Sequence, residues 1–420
     1  MAENSNVEQF EQIFIMIDDV IQGFQVNEKI DEGNFGQVFK VSKEGKKYAM
    51  KVEPNRLDGG PSALKNEIEI VVDVTKHDLK FCPKFISGGK ELKYHVLVMD
   101  LLGDNLKKLR QRCRDPNACS PGTWSRVGIQ CLYVIKAVHD CGYVHRDLKP
   151  ANFAMGPIDD GLTVRVLFLL DFGISRKFVL QKKGTAVGNG EFDWRVARRK
   201  TRAFKGTPVY ASPNAHSFQD LGRIDDVWSL LYMLAELVQP LPWSSLEDQT
   251  LERSKLGSKL RDLFKNDAFE AIEASLRASN YYSFPNYHLV YRTFWRVYAK
   301  SGVSWLDPFD WETKQMPAYQ RWRANAENRT TLFPWEYADI AAFFRHDPWK
   351  ALQSPIVSEK NKKKKEREQK KKKQQLDGET LTAEAITADE SLHPITKRRS
   401  KPKNPVAVSP NSLTKKSSKK

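Results

Sequence analysis

The order of apolar and polar residues divides the chain into two folded parts and a tail. From about residue 20 to 99, short runs with alternating apolar positions are separated by turn residues, as in β-strands, and one helical pattern interrupts them at 63–74. From about Leu106 onward, long runs with helical spacing dominate, among them WSRVGIQCLYVIKAVHD and DDVWSLLYMLAELV. The pattern predicts an α+β fold with a small β-rich lobe followed by a larger helical lobe.

Composition separates the tail from the rest. We place an N-terminal extension at 1–22, the β-rich lobe at 23–103, the helical lobe at 104–345 and a basic tail at 346–420. The net charge is +16, and residues 358–420 hold 19 Lys and Arg against 8 Asp and Glu. Because the sequence after about Pro355 is low-complexity and has little apolar surface, we expect the tail to be disordered. We expect it to serve as a nuclear-import signal, as a tether to an acidic surface or as a solubilising extension.

Several classes of protein are excluded. No stretch approaches the 18 or more apolar residues of a membrane span, and the polar, acidic first residues do not resemble a signal peptide. The cysteines are odd in number and include no CxxC pair, which argues against a disulfide scaffold or a zinc site. They are Cys82, Cys113, Cys119, Cys131 and Cys141. We therefore expect the thiols to be reduced and the protein to be cytoplasmic. The basic tail would also allow the protein to enter the nucleus.

The β-rich lobe carries two features that suit a nucleotide. Gly33, Phe35 and Gly36 lie between two strand-like runs, where missing side chains let backbone N–H groups approach phosphates, although such a hairpin is as often a simple turn. Lys51 lies among apolar strand residues and needs an anionic partner. On the following helical pattern Glu67 is the better candidate, because Glu69 faces another side of the helix. An exposed salt bridge is the alternative.

Two motifs in the helical lobe decide between these alternatives. Residues 145–152 read HRDLKPAN. The sequence LLDFG follows at 169–173, and its Asp171 lies 24 residues after Asp147. These are, in the right order, the catalytic-loop and metal-binding signatures of protein kinases. In that chemistry Asp147 orients the substrate hydroxyl and accepts its proton, Lys149 reaches the transferred phosphate, and Asn152 and Asp171 hold Mg²⁺.

The chain thus resembles a eukaryotic protein kinase with a bilobal fold, and finer features resemble the casein kinase 1 superfamily. VLVMDLLGDNL is similar to that superfamily's hinge, and Ser212 and Asn214 replace the usual Ala-Pro-Glu triplet with its Ser-x-Asn form. NFAMG is closest to the tau-tubulin kinase-like group, and Asp226 is similar to the aspartate that braces the catalytic loop. The resemblance implies that ATP is bound by Gly33, Phe35, Gly36, Val38, Ala49, Lys51, Met99 and Leu101. Lys149 implies Ser or Thr as the acceptor.

Two departures from the family pattern affect ligand binding. Asp31 stands at the first glycine of the usual loop and adds a negative charge near the phosphates. Val209 replaces an arginine that helps casein kinase 1 members bind a phosphate already on the substrate. Six cations nevertheless fall within residues 195–205, and they form either a substrate-binding surface or a solvated loop. They are Arg195, Arg198, Arg199, Lys200, Arg202 and Lys205, of which Arg198, Arg199, Arg202 and Lys205 are our substrate-binding candidates.

The sequence therefore predicts an ATP- and Mg²⁺-dependent serine/threonine protein kinase with a preference for acidic sites. Expected partners are protein substrates, with tubulin-associated or cytoskeletal proteins among them, and we expect a monomer. A pseudoenzyme that uses the fold as a scaffold is the main alternative, supported by Asp31. Nucleic-acid binding by the tail is another, but no aromatic residue is present there to stack on bases, so sequence-specific binding is not expected.

Overall fold

The computed structural model describes residues 10–33, 36–77, 79, 81–182, 191–198, 200–201, 203–326 and 339–352. The chain divides into two units, Met1–Pro355 and Ile356–Lys420, and all described residues belong to the first. Three of the predicted site residues, Phe35, Arg199 and Arg202, lie outside the described residues.

An antiparallel sheet forms the N-lobe. Its strands are Val20–Ile21 (β1), Phe24–Gly33 (β2), Gly36–Lys43 (β3), Lys46–Pro54 (β4), Phe85–Lys90 (β5) and Tyr94–Asp100 (β6). They pair in the order β1-β2-β3-β4-β6-β5. Side chains alternate along β4, so that Met50 and Val52 join the apolar cluster on one face while Ala49 joins the main core on the other. Lys51 lies two residues from Ala49 and therefore points to the same face, where the lobes meet.

A single long helix, Ala63–Lys76 (α1), packs on that face. Ser62 caps it by accepting a hydrogen bond from the Lys65 N–H at 2.9 Å. The Glu53 carboxylate also accepts the N–H groups of Ala63 and Leu64. The buried face of the helix carries Leu64, Glu67, Ile70, Val71 and Val74. Helical spacing thus places Glu67 among apolar residues that face the sheet.

Helices build the C-lobe. They are Leu106–Arg110 (α2), Pro121–Asp140 (α3), Pro213–His216 (α4), Arg223–Val238 (α5), Asp248–Gly257 (α6), Leu260–Phe264 (α7), Ala268–Arg277 (α8), Tyr287–Lys300 (α9), Pro317–Ala326 (α10) and Ile340–Arg345 (α11). The two long helical patterns of the sequence form α3 and α5, which pack together with α9 in the main core. The predicted α+β fold with a β-rich lobe and a helical lobe is confirmed.

Short strands position the chemistry at the edge of the C-lobe. They are Tyr143–Val144 (β7), Phe153–Met155 (β8), Leu167–Leu169 (β9), Arg176–Lys177 (β10), Val179–Gln181 (β11) and Phe192–Trp194 (β12), with a 3₁₀ turn at Pro150–Asn152. β8 pairs with β9, β7 with β10 and β11 with β12. The first two pairs hold the catalytic-loop and metal-binding motifs side by side.

The folded body extends beyond residue 346, where the tail was predicted to begin. Residues 346–352, which we call the C-terminal strap, contact the C-lobe through Asp347 and Trp349. The Trp349 indole donates to the His139 carbonyl at 3.0 Å, and its ring lies against Phe178. Contacts with partners far away in sequence thus hold a segment that shows no periodicity of its own.

All five cysteines lie in the described part of the chain. All five are free thiols, four of them buried and Cys141 half-buried. Burial raises the pKa of the Cys82 thiol, so this group stays protonated. No helix in the described part of the chain combines the length and the apolar character that a membrane span requires.

Candidate active site

Lys51 lies between two carboxylates at the junction of the lobes. Its Nζ is 2.7 Å from Glu67 Oε2 and 2.9 Å from Asp171 Oδ1. Glu67 also accepts the Phe172 N–H through its other oxygen, at 3.3 Å. The lysine is therefore not an exposed salt bridge, and Glu67 rather than Glu69 is its helical partner. One cation links the sheet, α1 and the start of the metal-binding motif.

The charges of this triad follow from burial and contact. Burial alone would lower the pKa of Lys51, but Glu67 and Asp171 outweigh it and raise that pKa above the usual 10.5. Burial would likewise raise the pKa of Asp171, yet the contact with Lys51 lowers it to about 2. Asp171 is therefore ionised at neutral pH. Glu67 is only 1% exposed, and burial raises its pKa.

The proposed base, Asp147, is held at both carboxylate oxygens. The Thr207 hydroxyl donates to Oδ1 and the Lys149 ammonium donates to Oδ2, each at 2.7 Å. The Asn152 amide donates to the main-chain carbonyl of Asp147 at 2.8 Å. Lys149 therefore lies beside the carboxylate that would bind the substrate hydroxyl, where it is also close to an incoming phosphate.

The backbone of both motifs is strained and buttressed. Arg146 has φ 72° and Asp171 has φ 64°, both in the left-handed region that non-glycine residues rarely adopt. Asp226, which is fully buried, accepts the N–H groups of His145 and Arg146 at 2.6 and 2.8 Å. The aspartate in DDVWSL therefore lies where it was expected, under the catalytic loop.

The ATP-binding candidates of the N-lobe lie on neighbouring strands. Val38 pairs with Lys51, and Ala49 pairs with Met99. Leu101 follows β6 and is half-buried in the connection to the C-lobe. These side chains therefore line one apolar face beside the lysine, which suits a flat heterocycle.

The structure describes two glycines of the loop, Gly33 and Gly36, and only at Gly36 would a larger residue clash with its surroundings. Gly36 has φ 135°, and a Cβ there would lie 2.0 Å from the Val52 carbonyl oxygen. Gly33 has open space around its Cα, which leaves its backbone accessible to a phosphate. Asp31 is exposed, and its carboxylate accepts the neighbouring N–H of Glu32 at 2.8 Å.

The oxygen donors suit a divalent cation. Asp171 uses Oδ1 for Lys51, which leaves its second oxygen for a ligand, and Asn152 uses its amide nitrogen for Asp147, which leaves its carbonyl oxygen. Such oxygens are what hard divalent cations prefer. The described residues contain no group of three His, Cys, Asp or Glu side chains arranged for a metal. This donor set is therefore suited to a cation whose remaining ligands are phosphate and water.

The substrate-binding candidates that the structure describes lie elsewhere. Arg198 and Lys205 line a cleft of about 560 Å³, and none of the triad residues Lys51, Glu67 and Asp171 lines this cleft. The other lining residues are Arg146, Arg176, Lys200, Thr201, Ala203 and Asp220. Asp220 pairs with Arg176 at 2.7 Å and accepts the Arg198 N–H at 3.1 Å. The cleft thus carries five cationic side chains and one carboxylate.

The Ser-x-Asn triplet has a visible structural role. Ser212 and Asn214 both donate to Asp225 Oδ1, at 2.6 and 3.0 Å, and the Gly222 N–H donates to Oδ2 at 2.7 Å. Burial raises the pKa of Asp225 to about 6. This cluster ties Ser212 and Asn214 to the start of α5.

Sequence reasoning missed two residues of the site. Thr207 was not singled out, although it touches Asp147, and the Gly-Thr pair ahead of the Ser-x-Asn triplet was the available signal. Asn66 lies next to Glu67, and its amide is 3.0–3.2 Å from the carbonyls of Phe172, Gly173 and Ser175. No pattern in the sequence marks Asn66, because its partners are more than 100 residues away.

Comparison with known proteins agrees with this geometry. The bilobal fold and the Lys–Glu–Asp triad beside a held aspartate have the arrangement expected of a protein kinase. A family model described as protein kinase domain matches residues 24–290, more than half of the chain, and the chain therefore belongs to the protein kinase family. Its relatives include proteins named as serine/threonine-protein kinases.

Three relatives illustrate the range. A probable serine/threonine-protein kinase of Dictyostelium discoideum is 36% identical over 69% of this chain and 56% of its own length. A putative serine/threonine-protein kinase of Caenorhabditis elegans is 35% identical over 71% of this chain and 84% of its own. An inactive tau-tubulin kinase of C. elegans is 34% identical over 54% of this chain and 79% of its own. This chain thus spans little more than half of the first relative.

Proposed function

We propose that this chain is an active serine/threonine protein kinase of the casein kinase 1 superfamily, most similar to the tau-tubulin kinase-like group. The observation that carries the proposal is that Lys51 contacts both Glu67 and Asp171 while Asp147 is oriented by Thr207 and Lys149. Phosphoryl transfer depends mainly on positioning and charge neutralisation, and this arrangement supplies both.

Each residue has a task that its contacts support. Lys51 would align the α- and β-phosphates of ATP, because Glu67 and Asp171 fix its position. Asp147 would receive the hydroxyl of a Ser or Thr substrate and accept its proton. Lys149, 2.7 Å from that carboxylate, would neutralise charge on the phosphate as it is transferred.

We propose Mg²⁺ as the cation, with Asp171 and Asn152 as its protein ligands. When bound, the ion would neutralise the phosphates of ATP. Asp171 is suited to this because its pKa, lowered to about 2 by Lys51 against the effect of burial, keeps it ionised at physiological pH.

Membership of the superfamily is supported by the Ser-x-Asn triplet. Ser212 and Asn214 share one buried carboxylate oxygen of Asp225, so both of the residues that characterise the Ser-x-Asn triplet have a structural use. The similarity to a relative named an inactive tau-tubulin kinase supports the same group. Because that relative is named inactive, activity has to be tested directly.

We further propose that acidic protein segments are the preferred substrates. The cleft beside the catalytic loop contains five cationic side chains, and Asp220 neutralises only part of that charge. Such a surface raises the local concentration of anionic peptides. The Val209 side chain cannot pair with a phosphate. We therefore expect Asp and Glu of the substrate, rather than a priming phosphate, to be recognised.

The test of activity is transfer of radiolabelled phosphate from ATP to casein. Asp147→Asn keeps the shape of the side chain but removes the base, so we expect loss of at least about 100-fold in turnover. Equal transfer by wild type and Asp147→Asn would contradict the proposal. A wild-type protein that binds an acidic partner but transfers no phosphate would support the scaffold alternative.

The test of substrate preference is a peptide array at two salt concentrations. Arg198→Glu with Lys205→Glu should raise KM for acidic peptides about 10-fold and leave neutral peptides within about 2-fold. Lys300→Glu with Lys314→Glu makes the same charge change at exposed positions away from the cleft and serves as the matched control. High salt should reduce the difference through screening. Equal effects of both double variants would overturn the preference.

A further inference from the structure

A buried lysine outside the nucleotide site has an unusual environment. Lys255 on α6 is 1% exposed, and no described carboxylate forms an ion pair with it. Its Nζ instead donates to the carbonyl oxygens of Pro208 and Ala211, at 2.5 and 2.9 Å. The third neighbour is His216 Nε2 at 3.2 Å. A lysine ammonium carries three N–H groups, of which the two carbonyls accept two, and His216 Nε2 accepts the third in the tautomer that leaves this nitrogen unprotonated.

Burying a lysine is costly, and the contacts explain where that cost is offset. Burial lowers the pKa of Lys255 to about 7. The rings of Tyr232 and Trp243 lie 5.1 and 5.5 Å from the nitrogen and favour its charged form. In the amine form two N–H groups remain, enough for the Pro208 and Ala211 carbonyls. The backbone contacts therefore persist in either form.

A second buried side chain holds the same stretch of backbone. The Trp243 indole, 0% exposed, donates to the Val209 carbonyl at 2.8 Å. Residues 207–211, which we call the docking segment, thus have three carbonyls fixed from beneath by Lys255 and Trp243. A backbone held at three of five carbonyls has little freedom to change shape.

The opposite side of the docking segment faces the proposed base. Its first residue, Thr207, donates to Asp147, and Pro208 is exposed. The preceding Gly206 is so close to the catalytic loop that a Cβ there would lie 2.7 Å from the Arg146 carbonyl. A peptide that places its hydroxyl at Asp147 must therefore run past this segment.

We infer that Lys255 is a positioning residue that shapes the docking segment for the substrate peptide. The inference rests on the proposed kinase function, because it assigns the peptide to the surface beside Asp147. Lys255 touches neither the nucleotide site nor the peptide and acts through the carbonyls of Pro208 and Ala211. Its loss should therefore affect peptide recognition and leave the reaction of ATP with water unchanged.

The experiment measures both reactions in the full chain. Lys255→Met keeps an unbranched side chain, one atom shorter, and removes all donors, so KM for an acidic casein peptide should rise about 10-fold. KM for ATP and the peptide-independent hydrolysis of ATP should stay within about 2-fold. Arg253→Met removes a cation from an exposed position of the same helix and is the matched control. Trp243→Phe removes the donor to Val209 together with part of a buried ring and should raise the peptide KM about 3-fold.

The outcomes are distinct. An unchanged peptide KM in folded Lys255→Met, or in Trp243→Phe should the first variant not fold, would overturn the inference. A parallel fall in peptide phosphorylation and ATP hydrolysis would also overturn it, because a general loss of structure would then explain the effect. Absence of peptide phosphorylation in wild type and Arg253→Met alike would instead refute the proposed function.

Discussion

The C-terminal strap offers a sharp test of how this fold is held together. It lies outside the stretch that the kinase family model matches, 24–290, yet it supplies a partner to a buried cation. Arg223 is 2% exposed and pairs with Asp347 at 3.1 Å. Its Nε and Nη2 atoms make no hydrogen bond with the described residues, and its guanidinium otherwise lies against aromatic rings. A chain ending at residue 345 leaves this cation without Asp347.

The size of the effect follows from the contacts that are lost. Removing one partner of a buried ion pair costs about 3–5 kcal/mol, and the partial exposure of Asp347, 12%, places this pair near the lower end. Trp349 is half-buried and adds about 2 kcal/mol for its ring contacts and its bond to His139. The Trp194 indole also loses its acceptor, the Leu352 carbonyl. Because these contacts share neighbours, we expect about 4 kcal/mol rather than their sum.

The assay compares chains that end at residues 345 and 355. At about 2 °C per kcal/mol for a body of this size, the shorter chain should melt about 8 °C lower. Hydrogen exchange should accelerate in β11 and β12, which contact Trp349 and Leu352. The chain ending at 355 should match the full chain, because the residues beyond it contribute almost no apolar surface. Lys350→Ala, an exposed position in the strap, is the point control, and Asp347→Asn should reproduce about 3 kcal/mol of the loss.

The reasoning fails if the chains ending at 345 and 355 melt within about 1 °C of each other. It also fails if Asp347→Asn is as stable as Lys350→Ala. A chain ending at 355 that is insoluble or inactive on peptides would contradict the predicted independence of the tail.

Three further predictions address the active site and its supports. Lys51→Met should lower turnover at least about 100-fold, because the phosphates of ATP lose the group that aligns them. It should also cost about 3 kcal/mol of stability, because buried Glu67 loses its cation. Adding Glu67→Gln should restore the melting temperature but not the turnover. Asp171→Asn should weaken Mg²⁺-dependent nucleotide binding at least about 10-fold by calorimetry, and unchanged Mg²⁺ dependence would place the metal elsewhere. The pKa of Asp225, raised by burial from 3.8 to about 6, means that the folded state binds more protons, so stability should fall by about 2 kcal/mol as pH rises from 4 to 6. Asp225→Asn should lack that decline in denaturant titrations at each pH, and parallel pH curves for the two proteins would refute the assignment.

The sequence predicted what local patterns encode. Alternation gave the strands, and helical spacing gave α1, α3 and α5 together with the face on which Glu67 lies. The order of Lys51, Asp147 and Asp171 along the chain gave the class of chemistry, because each belongs to a short motif whose chemical role does not depend on distant contacts.

What it did not predict depends on contacts between distant segments. Trp349 contacts a carbonyl 210 residues away, and Thr207 contacts an aspartate 60 residues away. Lys255 lies on a helix of mainly polar composition, where a lysine is normally exposed, and only the folded backbone brings the carbonyls of the docking segment to it. Periodicity cannot show such pairs, since it records which face of an element is buried and not what that face meets.

The cost of the active-site arrangement argues against a scaffold. Arg146 and Asp171 hold positive φ values, each of which costs on the order of 1–3 kcal/mol. Lys51 and Glu67 are buried as charges, although apolar residues of similar volume are often neutral or stabilising by about 1–4 kcal/mol at such sites. A protein that only displayed surfaces to a partner would gain nothing from these features. Their presence together, at the residues that would align phosphates and hold a cation, is what the proposed catalysis requires.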